Sequence, residues 1–151
     1  MSGKYLFTVG AVLRGDDAAG PMLSKMCEEK PIEGWTVIDG EMMPEDYISV
    51  IKREQPNFLV LVDAAQMGLA PGEVRLLERE NVVSDYMVTT HSLPLSYLID
   101  EIQGSCGKML FIGIQPAQIE FFAPLTLEVL AAVETVYAAV EADDFSGIEH
   151  I

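Results

Sequence analysis

Short, continuous apolar runs alternate along this sequence with longer segments in which apolar residues recur at helical spacing. A run without polar interruption is typical of a strand buried on both faces, as in a parallel sheet. The runs are Tyr5–Val9, Val37–Ile38 with Trp35 before them, Phe58–Val62 and Met109–Ile112. Strands that alternate with helices predict an α/β sandwich whose crossover helices cover both faces of the sheet.

Four helical segments and one further strand complete the predicted architecture. The apolar positions that indicate the helices are Ala19, Leu23, Met26 and Cys27; Tyr47, Val50 and Ile51; Leu95, Leu98, Ile99 and Ile102; and Leu130, Val133, Tyr137 and Val140 after a start near Thr126. Pro21 and Pro44 fit a first helical turn, where the missing N–H costs nothing. The segment Glu73–Leu77 follows the turn signal Ala70-Pro71-Gly72 and predicts an edge strand that pairs antiparallel.

The length of 151 residues suits one domain, which we place at residues 1–142. We expect the charged, glycine-containing segment 143–151 to be a flexible tail. No apolar run approaches the roughly 20 residues that span a bilayer, so the sequence predicts a soluble protein without a membrane partner. The oligomeric state does not follow from the sequence.

The net charge and the cysteine content narrow the classes of partner and compartment. Twenty-four acidic and nine basic residues give a formal charge of −15, which would repel nucleic acid and anionic lipid while attracting a basic peptide or a metal cation. Cys27 and Cys106 lie far apart without CxxC spacing, so neither a disulfide scaffold nor a zinc ribbon is indicated. These features fit a reducing cytoplasm.

Carboxylates follow three of the predicted strands. Asp16 and Asp17 come soon after the first strand, Asp39 ends the second and Asp63 ends the third. A single aspartate at a strand end is usually a helix cap or a loop-former. Ligands of open parallel sheets bind beyond the carboxyl ends of the strands, however, so three converging carboxylates favour a functional site.

His91 precedes the third helix and adds an imidazole to this set of candidates. Isolated histidines are mostly surface or core residues, but two aspartates and one histidine also suit a borderline divalent ion such as nickel or zinc. Gly10, Gly15 and Gly20 match neither a dinucleotide-binding fingerprint nor a P-loop. Cys106 is a poor candidate nucleophile, and Met42-Met43 are interpreted as core filling.

Five motifs in order along nearly the whole chain resemble those of the hydrogenase maturation endopeptidases. They are Val9-Gly10-x-x-x-x-Gly15-Asp16-Asp17-x-x-Gly20-Pro21, Val37-Ile38-Asp39-Gly40, Val62-Asp63-Ala64, Thr89-Thr90-His91-Ser92-Leu93-Pro94-Leu95 and Phe111-Ile112-Gly113-Ile114-Gln115-Pro116. Each motif alone is unspecific, whereas five at compatible spacing are specific. The sequences around Asp39 and Gln115 are most similar to those of the branch that processes hydrogenase 3.

The resemblance implies a three-layer α/β/α fold around a twisted, mostly parallel five-stranded sheet. It also implies a nickel-dependent endopeptidase that removes a C-terminal extension from the precursor of a [NiFe]-hydrogenase large subunit. In that family, the residues matching Asp17, Asp63 and His91 bind metal, and cleavage follows nickel insertion, after a basic residue of the precursor. We expect the precursor to supply the nickel. Asp39 is carried over as a functional carboxylate.

Two departures from the family pattern and one rival function accompany this resemblance. Ala11 replaces the usual asparagine, and Ala18 replaces a frequent glycine. We expect these changes to affect how the first loop is held and how the substrate fits. The rival is a noncatalytic, nickel-sensing hydrogenase assembly factor. A metal-independent α/β hydrolase would need a nucleophile, and no G-x-S-x-G motif is present.

Overall fold

Four parallel strands and one antiparallel edge strand form the central sheet of the protein. The computed structural model describes residues 2–83 and 94–151. The strands are β1 (Ser2–Thr8), β2 (Trp35–Asp39), β3 (Pro56–Ala64), β4 (Val74–Leu77) and β5 (Lys108–Ile114). Their order is β2-β1-β3-β5-β4, and β4 pairs antiparallel with β5, which confirms the predicted edge strand.

Helices cover both faces of this sheet. They are α1 (Ala19–Glu29), α2 (Ile48–Glu54), α3 (Arg79–Val83), α4 (Leu95–Ile102) and α5 (Leu127–Ala142), with 3-10 turns at Gly15–Ala18, Pro44–Tyr47 and Gln103–Ser105. α1 and α5 pack on one face, whereas α2, α3 and α4 pack on the other. The predicted three-layer α/β/α architecture is therefore confirmed. Within the described residues, none of the helices has the length and apolar character needed to cross a membrane.

Alternation along the buried strands divides the core into two layers. In β3, Val60 and Val62 face α1 and α5, whereas Leu59 and Leu61 face α2 and α4, and all four side chains are fully buried. Successive side chains of a strand point to opposite faces, so a strand covered on both sides must be apolar at every position. This explains the uninterrupted apolar runs of the sequence.

The last nine residues pack against the sheet, in contrast to the flexible tail expected from the sequence. The Phe145 ring lies 5.7 Å from the Phe58 ring and 6.3 Å from the Trp35 ring between centroids. Ile148 is buried, and the backbone of Leu76 in β4 is hydrogen-bonded to Glu149 and Ile151. Two apolar side chains among charged neighbours thus anchor a segment whose composition alone suggests mobility.

Candidate active site

The direction of sheet growth reverses beside β1, which makes this strand the switch point of the topology. β2 lies on one side of β1, and β3 with the rest of the sheet lies on the other. Open α/β sheets bind their ligands in the crevice beyond the carboxyl ends of the strands at such a point. The residues that follow β1, β2 and β3 are therefore the candidates for a functional site.

Asp17 lies in the 3-10 turn after β1 and is fully buried. Its Oδ2 atom accepts a hydrogen bond of 2.9 Å from the backbone amide of Ala11. The turn approaches Gly10 so closely that a Cβ atom there would overlap the Asp17 carbonyl oxygen, and Gly10 has a φ of +151°. Glycine at this position therefore lets the loop fold back and fix the Asp17 carboxylate.

Asp63 is the penultimate residue of β3 and is also fully buried. Its Oδ1 atom accepts a 2.8 Å hydrogen bond from the amide of Ala64. The amide of Val9 donates to the Val62 carbonyl at 3.0 Å, so the two strands stay connected as far as the candidate carboxylates. The 3-10 turn that carries Asp17 contacts β3. The structure thus brings Asp17 and Asp63 to the same edge of the sheet.

His91 lies outside the described residues, so its predicted role as a third metal ligand stays a prediction. Within residues 2–83 and 94–151, no three His, Cys, Asp or Glu side chains form a group that could hold a metal ion. The described part of the predicted site consists of the two buried aspartates and Asp39.

Asp39 ends β2 beside Thr8, its register partner in β1. Partial burial raises the pKa of its carboxyl group above the ordinary value, and the nearby charges of Glu41 and Glu28 raise it further. Hydrogen bonds from the Glu41 amide at 3.2 Å and the Thr8 hydroxyl at 3.5 Å act in the opposite direction. A cation that reached this carboxylate would relieve the cost of its ionisation.

Asp16 differs from its neighbour because its carboxylate is used to hold two loops together. It is fully buried and accepts hydrogen bonds from the amides of Ala117 at 2.8 Å and Thr126 at 2.8 Å, with a longer one of 3.4 Å from Gln118. The Thr126 hydroxyl also lies 3.0 Å from both carboxylate oxygens. The adjacent aspartates therefore have different environments, which the sequence did not distinguish.

Gln115 has a comparable structural role after β5. Its Oε1 atom accepts hydrogen bonds from the amides of Met67 at 2.7 Å and Leu69 at 3.3 Å, and its Nε2 atom donates to Gln66 and Pro116. The side chain is buried, so these bonds fix the loop that follows Asp63. The motif Gly113-Ile114-Gln115-Pro116 is thereby explained as a clamp on that loop.

Two side interpretations from the sequence are resolved by the structure. Cys106 lies just before the amino end of β5, and burial raises the pKa of its thiol to about 11, which argues against a thiolate nucleophile. The interpretation of Met42 and Met43 as core filling is wrong, because each is 47% exposed. They belong to the loop that follows Asp39.

The two departures in the first loop fit the local backbone. Ala18 has a φ of −76° and a ψ of 3°, which alanine adopts without strain, so glycine is not required there. Ala11 is buried and contacts Asp17 through its main-chain amide. The hydrogen bond from position 11 to Asp17 comes from the main chain, so it does not depend on the side chain there.

Comparisons with known proteins agree with this arrangement of strands and loops. A family model described as hydrogenase maturation protease matches residues 21–143. The hydrogenase 3 maturation protease of Escherichia coli (strain K12) is 42% identical over 142 residues, which cover 94% of this chain and 91% of that protein. A solution structure of the endopeptidase HycI from Escherichia coli has a TM-score of 0.91 and 40% identity, covering 99% of this chain and 96% of that chain. A crystal structure of a hydrogenase 3 maturation protease has a TM-score of 0.90 at 40% identity, with coverage of 98% and 96%.

Proposed function

This chain belongs to the hydrogenase maturation protease family and is a peptidase, and we propose that it removes the C-terminal extension of a [NiFe]-hydrogenase large-subunit precursor in a nickel-dependent reaction. The observation that carries the proposal is the placement of Asp17 and Asp63, both fully buried, at the edge where β1 and β3 end. One relative and one solved structure are described as hydrogenase 3 maturation proteases, which favours the large-subunit precursor of a hydrogenase of that type as the substrate.

The two aspartates supply oxygen ligands, and His91 supplies a nitrogen ligand in the proposed site. This donor set suits nickel, whereas calcium takes oxygen ligands. Buried carboxylates are stabilised by a cation, because desolvation makes their charge costly. Nickel held by the precursor would provide that cation when the two proteins meet.

Nickel enters the proposed reaction as part of the substrate. The chain has two cysteines far apart in sequence, and the structure places Cys27 in α1 and Cys106 before β5. They cannot form the thiolate cluster that binds nickel tightly. Metal already inserted into the precursor therefore serves as the feature by which the enzyme recognises a precursor that is ready for cleavage.

The proposed chemistry is hydrolysis of one peptide bond without a covalent intermediate. The oxygen of water attacks the scissile carbonyl carbon, the C–N bond breaks, and the leaving nitrogen takes up a proton as a new amine. Asp17, Asp63 and His91 position the bond by binding the metal, which supplies Lewis acidity when it is bound. Asp39 would bind the basic residue that precedes the cut or accept a proton from water.

The test is cleavage of nickel-loaded precursor by variants of the three proposed ligands. We expect Asp17→Asn, Asp63→Asn and His91→Ala each to reduce the cleavage rate by a factor of roughly 100 or more, because each removes a ligand that positions the reacting bond. Intact-mass spectrometry of the precursor would follow the loss of the extension, and circular dichroism would confirm folding.

Glu134→Gln is a matched control, because it makes the same acid-to-amide change on an exposed position of α5. It should cleave at the wild-type rate. Normal cleavage by all three ligand variants would show that the site is wrong. Binding of nickel-loaded precursor by the wild-type protein without any cleavage would instead support the noncatalytic assembly factor.

A further inference from the structure

Large apolar side chains are exposed mainly at the edge of the sheet that carries the candidate site. Six of the nine exposed large apolar residues among those described come from three loops at the carboxyl ends of strands. We call this set the apolar rim: Val12 and Leu13 after β1, Met42 and Met43 after β2, and Phe121 and Phe122 after β5. Concentrated exposure of this kind marks an interaction surface more often than scattered single residues do.

Backbone hydrogen bonds join the three loops into one surface. The amide of Gly10 donates to the Glu41 carbonyl at 2.9 Å, which connects the first loop to the second. The amide of Phe122 donates to the Leu13 carbonyl at 2.8 Å, which connects the first loop to the third. Buried Asp16 reinforces the second of these connections through its bonds to Ala117 and Thr126. The rim is therefore held in place in the folded protein.

Phe121 is oriented by a cation–π contact, and Phe122 is exposed in a strained backbone conformation. The guanidinium carbon of Arg14 lies 4.8 Å from the centre of the Phe121 ring, which orients a side chain that remains 66% exposed. Phe122 is 81% exposed and has a φ of +63°, a left-handed conformation that costs a residue with a side chain about 1 kcal/mol. With its side chain 81% exposed, Phe122 gains little from burial to offset that strain, which points to a role other than packing.

We propose that the apolar rim holds the segment of the hydrogenase precursor next to the scissile bond, and that this segment contacts the rim through apolar side chains. The proposal rests on the proposed function. The rim is continuous with the site, since Val12 and Leu13 lie in the loop that positions Asp17, and Met42 and Met43 follow Asp39. Exposed Glu41 and Glu120 adjoin the rim and supply charge complementary to a basic residue.

Acidic charge makes a second copy of this chain and an anionic membrane unfavourable partners for the apolar rim. Two copies of a chain with a net charge of −15 repel each other, and an anionic bilayer would repel the acidic residues beside the rim. A substrate protein with a basic segment meets neither obstacle.

Phe122→Asn and Leu13→Gln test the proposal. Asparagine tolerates a positive φ better than phenylalanine, so the first variant keeps the loop while removing the ring. We expect each variant to lower kcat/KM for nickel-loaded precursor about tenfold, mainly through KM, and to weaken binding by a similar factor in calorimetric titration, because apolar surface is no longer buried. Melting temperatures should not fall.

Ile151→Ser provides the control, because this exposed residue lies beside β4 and away from the rim. It should leave precursor binding and kcat/KM unchanged. Unchanged affinity in both rim variants would overturn the inference while leaving the protease assignment intact. Conversely, wild-type protein that binds the precursor without cutting it would remove the proposed function, and the affinities of the rim variants would still decide the docking surface. If the rim variants lost self-association but kept their affinity for the precursor, the rim would be an interface between two copies of the chain, which would contradict the proposal.

Discussion

At the scale of single residues, the two adjacent aspartates after β1 have different roles. Asp16 holds loops together, whereas Asp17 is a candidate metal ligand. Asp16 accepts hydrogen bonds from three backbone amides and one hydroxyl, whereas the described bond of Asp17 comes from its own loop. Two neighbouring carboxylates look equivalent in a sequence, but the tight 3-10 turn directs them to different partners. Replacing the two side chains should therefore have different consequences for stability.

We predict that Asp16→Ala lowers the free energy of unfolding by about 3 kcal/mol, because it leaves buried amides at Ala117 and Thr126 without an acceptor. Asp17→Asn should have a smaller effect, since the amide oxygen can still accept the Ala11 N–H. Urea denaturation of both variants measures the difference. An equal loss of stability would contradict the division of roles.

Asp39 should make stability depend on pH in a specific direction. Burial raises the pKa of its carboxyl group above 3.8, so the folded state holds the proton more tightly than the unfolded state does. Stability is consequently lost as the pH rises from 3.8 through the raised pKa. Asp39→Asn removes this loss, and its unfolding free energy relative to wild type should increase across that window and then stay constant. Denaturation at a series of pH values would reveal a reversed or absent trend if the assignment were wrong.

At the scale of elements, the last nine residues act as part of the sheet. Phe145 contacts the rings of Trp35 in β2 and Phe58 in β3, and Ile148 joins the same core. Trp35 is the sole tryptophan of the chain and so reports on this contact by fluorescence.

We predict that Phe145→Ala lowers the free energy of unfolding by about 2 kcal/mol, less than for a fully buried aromatic ring because Phe145 is only partly buried. Tryptophan emission should shift to longer wavelength as water reaches Trp35. Phe122→Asn is the matched control, since it removes an exposed ring without contact to Trp35 and should leave the emission unchanged. Unaltered fluorescence and stability in Phe145→Ala would mean that the segment does not pack in solution.

At the scale of the whole molecule, the apolar periodicity was sufficient to predict the layers, because a strand covered on both faces must be apolar throughout. It did not predict α3, a five-residue helix with charged positions. It also placed Leu130 on the buried face of α5, where Val129 is buried and Leu130 is only partly buried. The strand-end rule led to Asp17, Asp39 and Asp63 as candidates, and their role in a site stays a prediction. It could not identify Gln115 as a clamp or the rim as a surface, since both depend on which loops meet in space.

The central claim is that the protein cuts only precursor that already carries nickel. The chain contributes carboxylates that are deeply buried at one sheet edge and has only two cysteines, far apart in sequence, so we expect the ion to arrive with the substrate. The most direct measurement is intact-mass spectrometry of nickel-loaded and nickel-free precursor incubated with wild-type protein, with chelator keeping the second sample empty. Our account predicts loss of the C-terminal extension in the loaded sample alone; efficient trimming of the empty precursor would contradict it.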